Sequence, residues 1–261
     1  MPASLHAAVL DGERYLRRIG YDRSLTPSAE DLRALHLQHH YTVPFENLDI
    51  HRGVSITLDL PRIEDKIVRQ RRGGFCYELN GLFAALLDQL GYVVTLLSAR
   101  VSRGDSAFGP EFDHLLLRVD LDEPWLADVG FGDSFRAPLR LATGLEQPDA
   151  DRHYRVVAAG EDLFLEERRP GGGWKPQYAF TLTPHTLPDF AAMCVVQQTS
   201  PDSHFTQRRV CSIATPNGRI TLAGDRLIIT TPAGREERVL PNHAAIHTAL
   251  REHFSITLPD D

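Results

Sequence analysis

The residues around Cys76 could supply a nucleophile. Cys76 follows Gly73 and Gly74, and apolar residues then recur at the spacing of one helix face: Leu79, Leu82, Phe83, Leu86, Leu87 and Leu90. This spacing predicts a helix that begins near Cys76 and ends at Gly91. A helix N-terminus presents unpaired N–H groups and a partial positive charge, which favour thiolate over thiol.

Three arginines precede the diglycine, Arg69, Arg71 and Arg72, and their charge also favours a thiolate. We therefore expect Cys76 to have a pKa below the value of about 8.5 that a free thiol has. The alternative is a small buried cysteine that packs as a hydrophobic residue.

The segment from His114 to Leu121 predicts a half-buried strand. The residues of its two faces alternate: Leu115, Leu117, Val119 and Leu121 against His114, Leu116, Arg118 and Asp120. Asp122 and Pro124 then supply turn chemistry before a second short strand. A loop of residues 121–123 makes Asp128 a diagonal neighbour of His114 on one face, whereas a two-residue loop puts them on opposite faces.

A cysteine, a histidine and an aspartate can divide one chemical task. The histidine takes the thiol proton, and the aspartate fixes the imidazole tautomer and stabilises its charged form. Alone this combination says little, because the chain contains 12 histidines and 35 acidic residues. More specific evidence comes from the residues that surround these three.

Four blocks of sequence resemble the arylamine N-acetyltransferase family, and they occur in the family's order. They are Val43-Pro44-Phe45-Glu46-Asn47-Leu48-Asp49, the block from Arg72 to Phe83, the His114 strand with Asp128-Val129-Gly130-Phe131-Gly132, and the block from Gln198 to Phe205 that leads to Val210-Cys211-Ser212-Ile213. The resemblance implies that Cys76 is the acyl-accepting nucleophile, His114 the base and Asp128 the orienting group. It also implies that Phe45, Phe131, Gly130 and Gly132 lie at the acceptor pocket, and that Thr215 contacts the coenzyme.

The same resemblance implies an α+β fold in three parts. We expect a helical bundle over residues 1–91 that carries the nucleophile, a barrel-like β-rich domain over 92–185 that carries His114 and Asp128, and an α/β domain over 186–261. Local patterns agree with this division. A helix is predicted from Thr26-Pro27 onward and another over 242–254, and strands are predicted at 92–97, 154–158, 163–167, 220–222 and 227–230, with turns at Pro170–Gly173 and Asn217-Gly218.

The implied activity moves an acetyl group from acetyl-CoA, through Cys76, to aromatic amines, hydrazines or arylhydroxylamines in a ping-pong reaction. Acetyl-CoA is then a co-substrate, and neither a metal nor a tightly bound cofactor is needed. Two other classes remain open. One is a cysteine hydrolase, a transglutaminase-like enzyme or an amide synthase with the same triad, and the other is a non-enzymatic ligand-binding module on this scaffold.

Composition excludes several other classes. The hydrophobic fraction of 42% and the charged fraction of 24% are ordinary for a globular chain of 261 residues. A net charge of -7 argues against nucleic-acid binding and against an anionic membrane surface. No apolar run reaches the length of a membrane helix, residues 1–6 do not have the pattern of a signal peptide, and three scattered cysteines give no disulfide framework, so a cytoplasmic protein is expected. The oligomeric state cannot be read from the sequence.

Some other residues could suggest sites, and for each of them a structural role is favoured. His36, His39 and His40 have no acidic ligand at supporting spacing, and His243 and His247 have no HExxH glutamate between them. Cys194 and Cys211 lie in apolar, strand-like contexts and are expected to be inert. For Arg71 and Arg72 we expect a role in holding their own block together.

Overall fold

The computed structural model describes residues 10–104 and 107–259. The predictions about residues 1–6 therefore lie outside the described residues. Helices dominate the first part of the chain, as expected. They are α1 (Gly12–Ile19), α2 (Ala29–Thr42), α3 (Leu48–His51), α4 (Leu60–Glu64), a π-helical turn (Asp65–Arg69) and α5 (Cys76–Gln89).

Side-chain hydrogen bonds set the starts of two predicted helices, one of which begins slightly later than predicted. Helix α2 begins two residues after Pro27, because the Ser28 side chain accepts a hydrogen bond from the Asp31 backbone N–H and caps the helix. Helix α5 begins at Cys76, and the Glu78 carboxylate reaches back to the Phe75 N–H at 3.1 Å. Nearly all of α5 is buried, so the helix that carries the cysteine is held by the core.

The middle of the chain forms one antiparallel, near-barrel sheet. Its strands are β2 (Val93–Gly104), β3 (Ala107–Phe108), β4 (His114–Asp120), β5 (Pro124–Ala127), β6 (Leu139–Arg140), β7 (Gln147–Asp149), β8 (Arg152–Ala159), β9 (Asp162–Arg168) and β10 (Trp174–Phe180). The order is β6-β5-β4-β2-β10-β9-β8-β7, with β3 beside β2. The strands predicted at 92–97, 154–158 and 163–167, the His114 strand and the turn at residues 170–173 are present in this part.

The two faces of β4 pack into different cores, as its alternating pattern predicted. Leu115, Leu117 and Val119 join the core around α5. Leu116 faces the opposite core, with Leu97 and Tyr154. One face of the sheet therefore seals the helical part and the other fills the barrel.

The last part combines helices with a second antiparallel sheet. Its strands are β11 (Val210–Thr215), β12 (Gly218–Ala223), β13 (Arg226–Thr231) and β14 (Gly234–Val239), and its helices are α6 (Ala191–Thr199), α7 (His204–Gln207) and α8 (His243–Phe254). The short strand β1 (Phe45–Glu46) adds to the edge of this sheet, with Phe45 opposite Ser212. The Asn47 side chain reinforces the junction, because its Oδ1 accepts the Val210 N–H at 2.7 Å.

Strand β1 belongs to residues that were assigned to the helical part, so one segment of the first predicted domain completes the sheet of the third. The boundaries at 91/92 and 185/186 themselves stay predictions. The strand-like context of Cys194 was wrong: Cys194 lies on α6, whereas Cys211 lies on β11 as expected. Within residues 10–104 and 107–259, no helix is long and apolar enough to cross a membrane.

A buried ionic network joins the Phe45 block to the Cys76 block. Arg72 Nη2 lies 2.8 Å from Glu46 Oε1 and 2.9 Å from Asp49 Oδ1, and the Arg72 side chain is only 4% exposed. Lys66 Nζ bridges Asp49 Oδ2, at 2.8 Å, and Glu78 Oε1, at 2.7 Å. This network confirms the structural role expected for Arg72. Its Lys66 also anchors Glu78, the residue whose carboxylate caps α5.

Replacing Arg72 tests this network. Arg72→Met leaves two buried carboxylates without their shared cation, so we expect the free energy of unfolding to fall by about 3–5 kcal/mol. The matched control is Arg118→Met, which removes a pair with Asp120 whose members are each 32% exposed, and which should cost under about 1 kcal/mol. Urea unfolding followed by circular dichroism measures both, and equal losses in the two variants would contradict the role of the network.

Candidate active site

The structure brings the predicted triad together. Cys76 is the first residue of α5, His114 is the first residue of β4, and Asp128 directly follows β5. Leu117 pairs with Ala127 and Asp120 with Pro124, so the connecting loop has the three residues that place His114 and Asp128 on one face. His114 Nε2 lies 2.8 Å from Asp128 Oδ2, and Cys76 and His114 line one cavity of about 290 Å³.

The Asp128 carboxylate is completely buried, and its oxygens are surrounded by donors. Besides His114, the Asn80 amide donates to Oδ1 at 2.9 Å, the Gly130 N–H donates to Oδ1 at 3.0 Å, and the Tyr178 hydroxyl donates to Oδ2 at 3.2 Å. Burial alone would raise the pKa of Asp128, but His114 and these hydrogen bonds outweigh it and the pKa is lowered. The aspartate is therefore ionised and can orient the His114 ring.

The acidity of Cys76 differs from the expectation. Burial raises the pKa of the Cys76 thiol well above its ordinary value, and the Leu115 backbone amide opposes this. Arg72 forms ion pairs with Glu46 and Asp49. Arg69 forms ion pairs with Glu64 and Asp65. The prediction that the arginines and the helix start would by themselves give a low pKa is therefore wrong, because the effect of burial on the sulfur is larger.

Aromatic side chains form the walls of the cavity at Cys76. Phe45, Phe131 and Phe205 all line it. Phe131 stands edge-on to the His114 ring at 5.2 Å between centroids, and Phe205 packs against Phe45 at 6.1 Å. Both predicted phenylalanines therefore line the cavity that contains Cys76, and a flat aromatic molecule matches such walls.

The two predicted glycines are required by close approach and by backbone conformation. A Cβ on Gly130 would lie 2.8 Å from the Cys76 Cα and 2.7 Å from the Asn80 amide nitrogen, so no side chain fits there. Gly132 has φ +90°, a conformation that other residues rarely adopt, and it packs against the Phe45 ring. Gly130 lines the cavity directly, whereas Gly132 contributes through the loop and through Phe45.

A second cavity of about 410 Å³ lies beyond the same loop. Arg136, Arg152 and Arg219 line it, together with Asp133 and Ser134. Thr215 borders it, since Thr215 immediately precedes the lining residue Pro216 and its carbonyl accepts from Arg136 Nη1 at 3.0 Å. The structure thus places Thr215 beside a cavity with three guanidinium groups, each already paired with a carboxylate: Arg152 and Arg219 with Asp133, and Arg136 with Asp149.

The other sequence candidates have structural surroundings. In the described ranges, no group of three or more histidine, cysteine or acidic residues is placed to hold a metal. His39 is buried, with Nδ1 on the Tyr15 hydroxyl at 2.8 Å. Burial raises the pKa of Cys194 to about 12 and that of Cys211 well above its ordinary value, in agreement with inert thiols.

Sequence reasoning missed several residues that contact the triad. Asn80 lies one helical turn after Cys76, and that spacing could have identified it. Tyr178 reaches Asp128 from β10, and His36, for which only a structural role on its helix was favoured over a metal site, reaches the Asp128 backbone from α2. These two are 50 and 92 residues from Asp128, so no local pattern connects them to it.

Comparison with known proteins agrees with this geometry. A family model described as N-acetyltransferase matches residues 28–261. A pineal gland isozyme of arylamine N-acetyltransferase from Gallus gallus is 36% identical over 276 residues, covering 95% of each chain. The protein named arylamine N-acetyltransferase / N-hydroxyarylamine O-acetyltransferase from Salmonella typhimurium is 33% identical over 264 residues, covering 100% of this chain and 91% of that one.

Solved structures give the same result. The structure of Mycobacterium marinum arylamine N-acetyltransferase in complex with CoA has a TM-score of 0.87 and 34% identity, covering 94% of this chain and 93% of that one. The expected α+β architecture is thereby confirmed. Since sequence and structure both match over nearly their full length, the chain belongs to the arylamine N-acetyltransferase family of acyltransferase enzymes.

Proposed function

We propose that this protein transfers acetyl from acetyl-CoA to arylamines, hydrazines and arylhydroxylamines by a ping-pong reaction through an acetyl-Cys76 intermediate. The observation that carries the proposal is the hydrogen bond between His114 and the buried Asp128 carboxylate, at the wall of a cavity that also contains Cys76. The Salmonella typhimurium relative bears both an arylamine and a hydroxyarylamine activity in its name, which supports this range of acceptors.

In the first half-reaction, His114 takes the Cys76 proton as the sulfur attacks the thioester carbonyl of acetyl-CoA. Because burial disfavours an isolated thiolate, the imidazolium formed on His114 must compensate the charge, and Asp128 in turn stabilises that imidazolium. The backbone N–H of Cys76 lies in the first turn of α5, where an amide has no helical acceptor, and it can stabilise the oxyanion of the tetrahedral intermediate. Collapse of this intermediate expels CoA as its thiol and leaves acetyl on sulfur.

In the second half-reaction, the acceptor nitrogen or oxygen attacks the acetyl-thioester while His114 removes its proton. The sulfur then leaves as thiolate and recovers a proton from the imidazolium. The aromatic walls formed by Phe45, Phe131 and Phe205 suit a flat acceptor, and an acceptor seated between them would displace water from the acetyl-thioester, which favours transfer over hydrolysis. This is the feature that separates the proposal from a cysteine hydrolase.

The second cavity is our proposed place for the phosphate groups of the coenzyme. Residues 130 and 131 line the cavity at Cys76, and residues 133 and 134 line the arginine cavity, so one short loop separates them. The CoA complex of the Mycobacterium marinum relative supports use of this coenzyme. Guanidinium groups suit phosphate oxygens because they form charge-assisted, paired hydrogen bonds.

Intact-mass measurement tests the intermediate. After brief mixing with acetyl-CoA and no acceptor, the wild-type chain should gain the mass of one acetyl group and lose it when an arylamine is added. Cys76→Ser should gain none, whereas Cys194→Ser, the matched control at another buried cysteine, should gain the same acetyl group. Acetylation that persists in Cys76→Ser would exclude Cys76 as the acceptor.

Removal of the triad's charge tests the roles of His114 and Asp128. Asp128→Asn removes the carboxylate that stabilises the imidazolium, so we expect acetyl transfer to fall about 10³–10⁴-fold. His114→Ala should also shift the pH profile of Cys76 alkylation by iodoacetamide to higher pH, since a buried thiol without a base ionises reluctantly. Near wild-type transfer in either variant, with native circular dichroism, would remove that residue from the mechanism.

Substitution in the arginine cavity tests the coenzyme site. Arg219→Met should raise the KM for acetyl-CoA about tenfold, as expected when one charged hydrogen bond is lost. It should leave the rate with p-nitrophenyl acetate, a donor without phosphates, unchanged. Arg155→Met, which removes a cation paired with Glu166 outside this cavity, is the control. An equal loss with both donors would instead indicate that Arg219 only maintains the fold.

A further inference from the structure

We propose that His36 is a positioning residue, which holds Asp128 in register with His114 by bonding the backbone on both sides of the acceptor-pocket loop. The proposal rests on the function proposed above and extends it to a residue on α2, outside the triad. The acceptor-pocket loop is defined as residues 128–136.

Both ring nitrogens of His36 are used. The Asp128 backbone N–H donates to His36 Nε2 at 3.0 Å, and His36 Nδ1 lies 2.8 Å from the Arg136 carbonyl oxygen. A peptide N–H can only donate and a carbonyl can only accept, so Nδ1 must carry the proton and Nε2 the lone pair. The ring is therefore neutral, and burial lowers the pKa of His36 to about 4, which keeps it neutral at physiological pH.

The ring itself is fixed by its surroundings. It is completely buried, it stacks on the Phe135 ring at 5.8 Å with an interplanar angle of 11°, and it meets the Phe83 ring of α5 edge-on. The imidazole thus joins three elements, namely α2, α5 and the acceptor-pocket loop. A shift of this ring would move the Asp128 backbone, and with it the carboxylate that orients His114.

The loop held in this way contains the chemistry of the pocket. Gly130 lies against the Cys76 Cα, and Phe131 packs against the His114 ring. Loss of the two backbone bonds would leave a buried peptide N–H and a partly buried carbonyl without these partners, and the loop would move to satisfy them. Because the ionised Asp128 stabilises the imidazolium only in the correct geometry, such movement should weaken the thiolate–imidazolium pair.

Phenylalanine substitutions separate positioning from packing. His36→Phe keeps the buried aromatic ring and removes both backbone hydrogen bonds. The control is His39→Phe: His39 lies on the same helix as His36, and its replacement removes one buried hydrogen bond to the Tyr15 hydroxyl of α1. We expect His36→Phe to lower kcat for acetyl transfer about 10–100-fold, a range typical for the loss of a partner that orients a site residue. The control should keep kcat within about twofold, since its lost bond affects stability rather than geometry.

Alkylation of Cys76 supplies a readout that does not require acetyl transfer. His36→Phe should shift the apparent pKa of alkylation upward by about one unit, that is, slow alkylation about tenfold near pH 7. His39→Phe should leave it unchanged. If Cys76 of the wild-type chain alkylates readily but the chain transfers no acetyl group, the proposed function is refuted and this inference stands. If His36→Phe and His39→Phe have identical alkylation profiles, the inference alone is refuted.

Two amide variants decide the matter where His36→Phe does not fold. The amide of His36→Gln reaches the position of Nε2 and can accept from Asp128, while that of His36→Asn reaches only the position of Nδ1 and can donate to Arg136. If His36 positions Asp128, His36→Gln should have the Cys76 alkylation profile of the wild-type chain, and its kcat should be about tenfold higher than that of His36→Asn. Equal values, or a better asparagine variant, would overturn the proposal.

Discussion

A buried carboxylate is tolerated only where donors surround it, and the site of this protein is organised around that constraint. Asp128 is completely buried, and its donors come from β4, β10, α5 and its own loop. Leaving such a charge unpaired costs several kcal/mol, so the position of each of these elements is set by the requirement to satisfy it. The same atoms that stabilise the charge therefore fix the geometry of the catalytic histidine.

The local features of the site could be predicted from the sequence. The alternation after His114 predicted the strand and its two faces, and the turn residues predicted a hairpin, although its loop length stayed open between three residues and two until the structure showed three. The apolar spacing after Cys76 gave helix α5 and its first residue. Each of these depends on neighbours within a few residues, for which backbone geometry alone determines which side chains share a face.

Tertiary contacts account for what could not be predicted. The acidity expected for Cys76 was wrong because the assembled core buries the sulfur and raises its pKa, and no local pattern reveals that burial. Cys194 was placed in a strand-like context, yet a run of small and β-branched residues there forms α6 and packs against the core of the first part. Tyr178 and His36 approach Asp128 from distant strands and helices, so only the assembled fold gives them a role in the site.

Strand β1 has a consequence for how the protein is made. Phe45 and Glu46 are hydrogen-bonded to Ser212 and Cys211, which the ribosome delivers more than 160 residues later. Until that partner is synthesised, β1 has no strand to pair with. The segment before α5, which is bonded to β1 through the Gly74 carbonyl, then lacks part of its support. The contacts of β1 with β11 can therefore form only after residue 212 has been made.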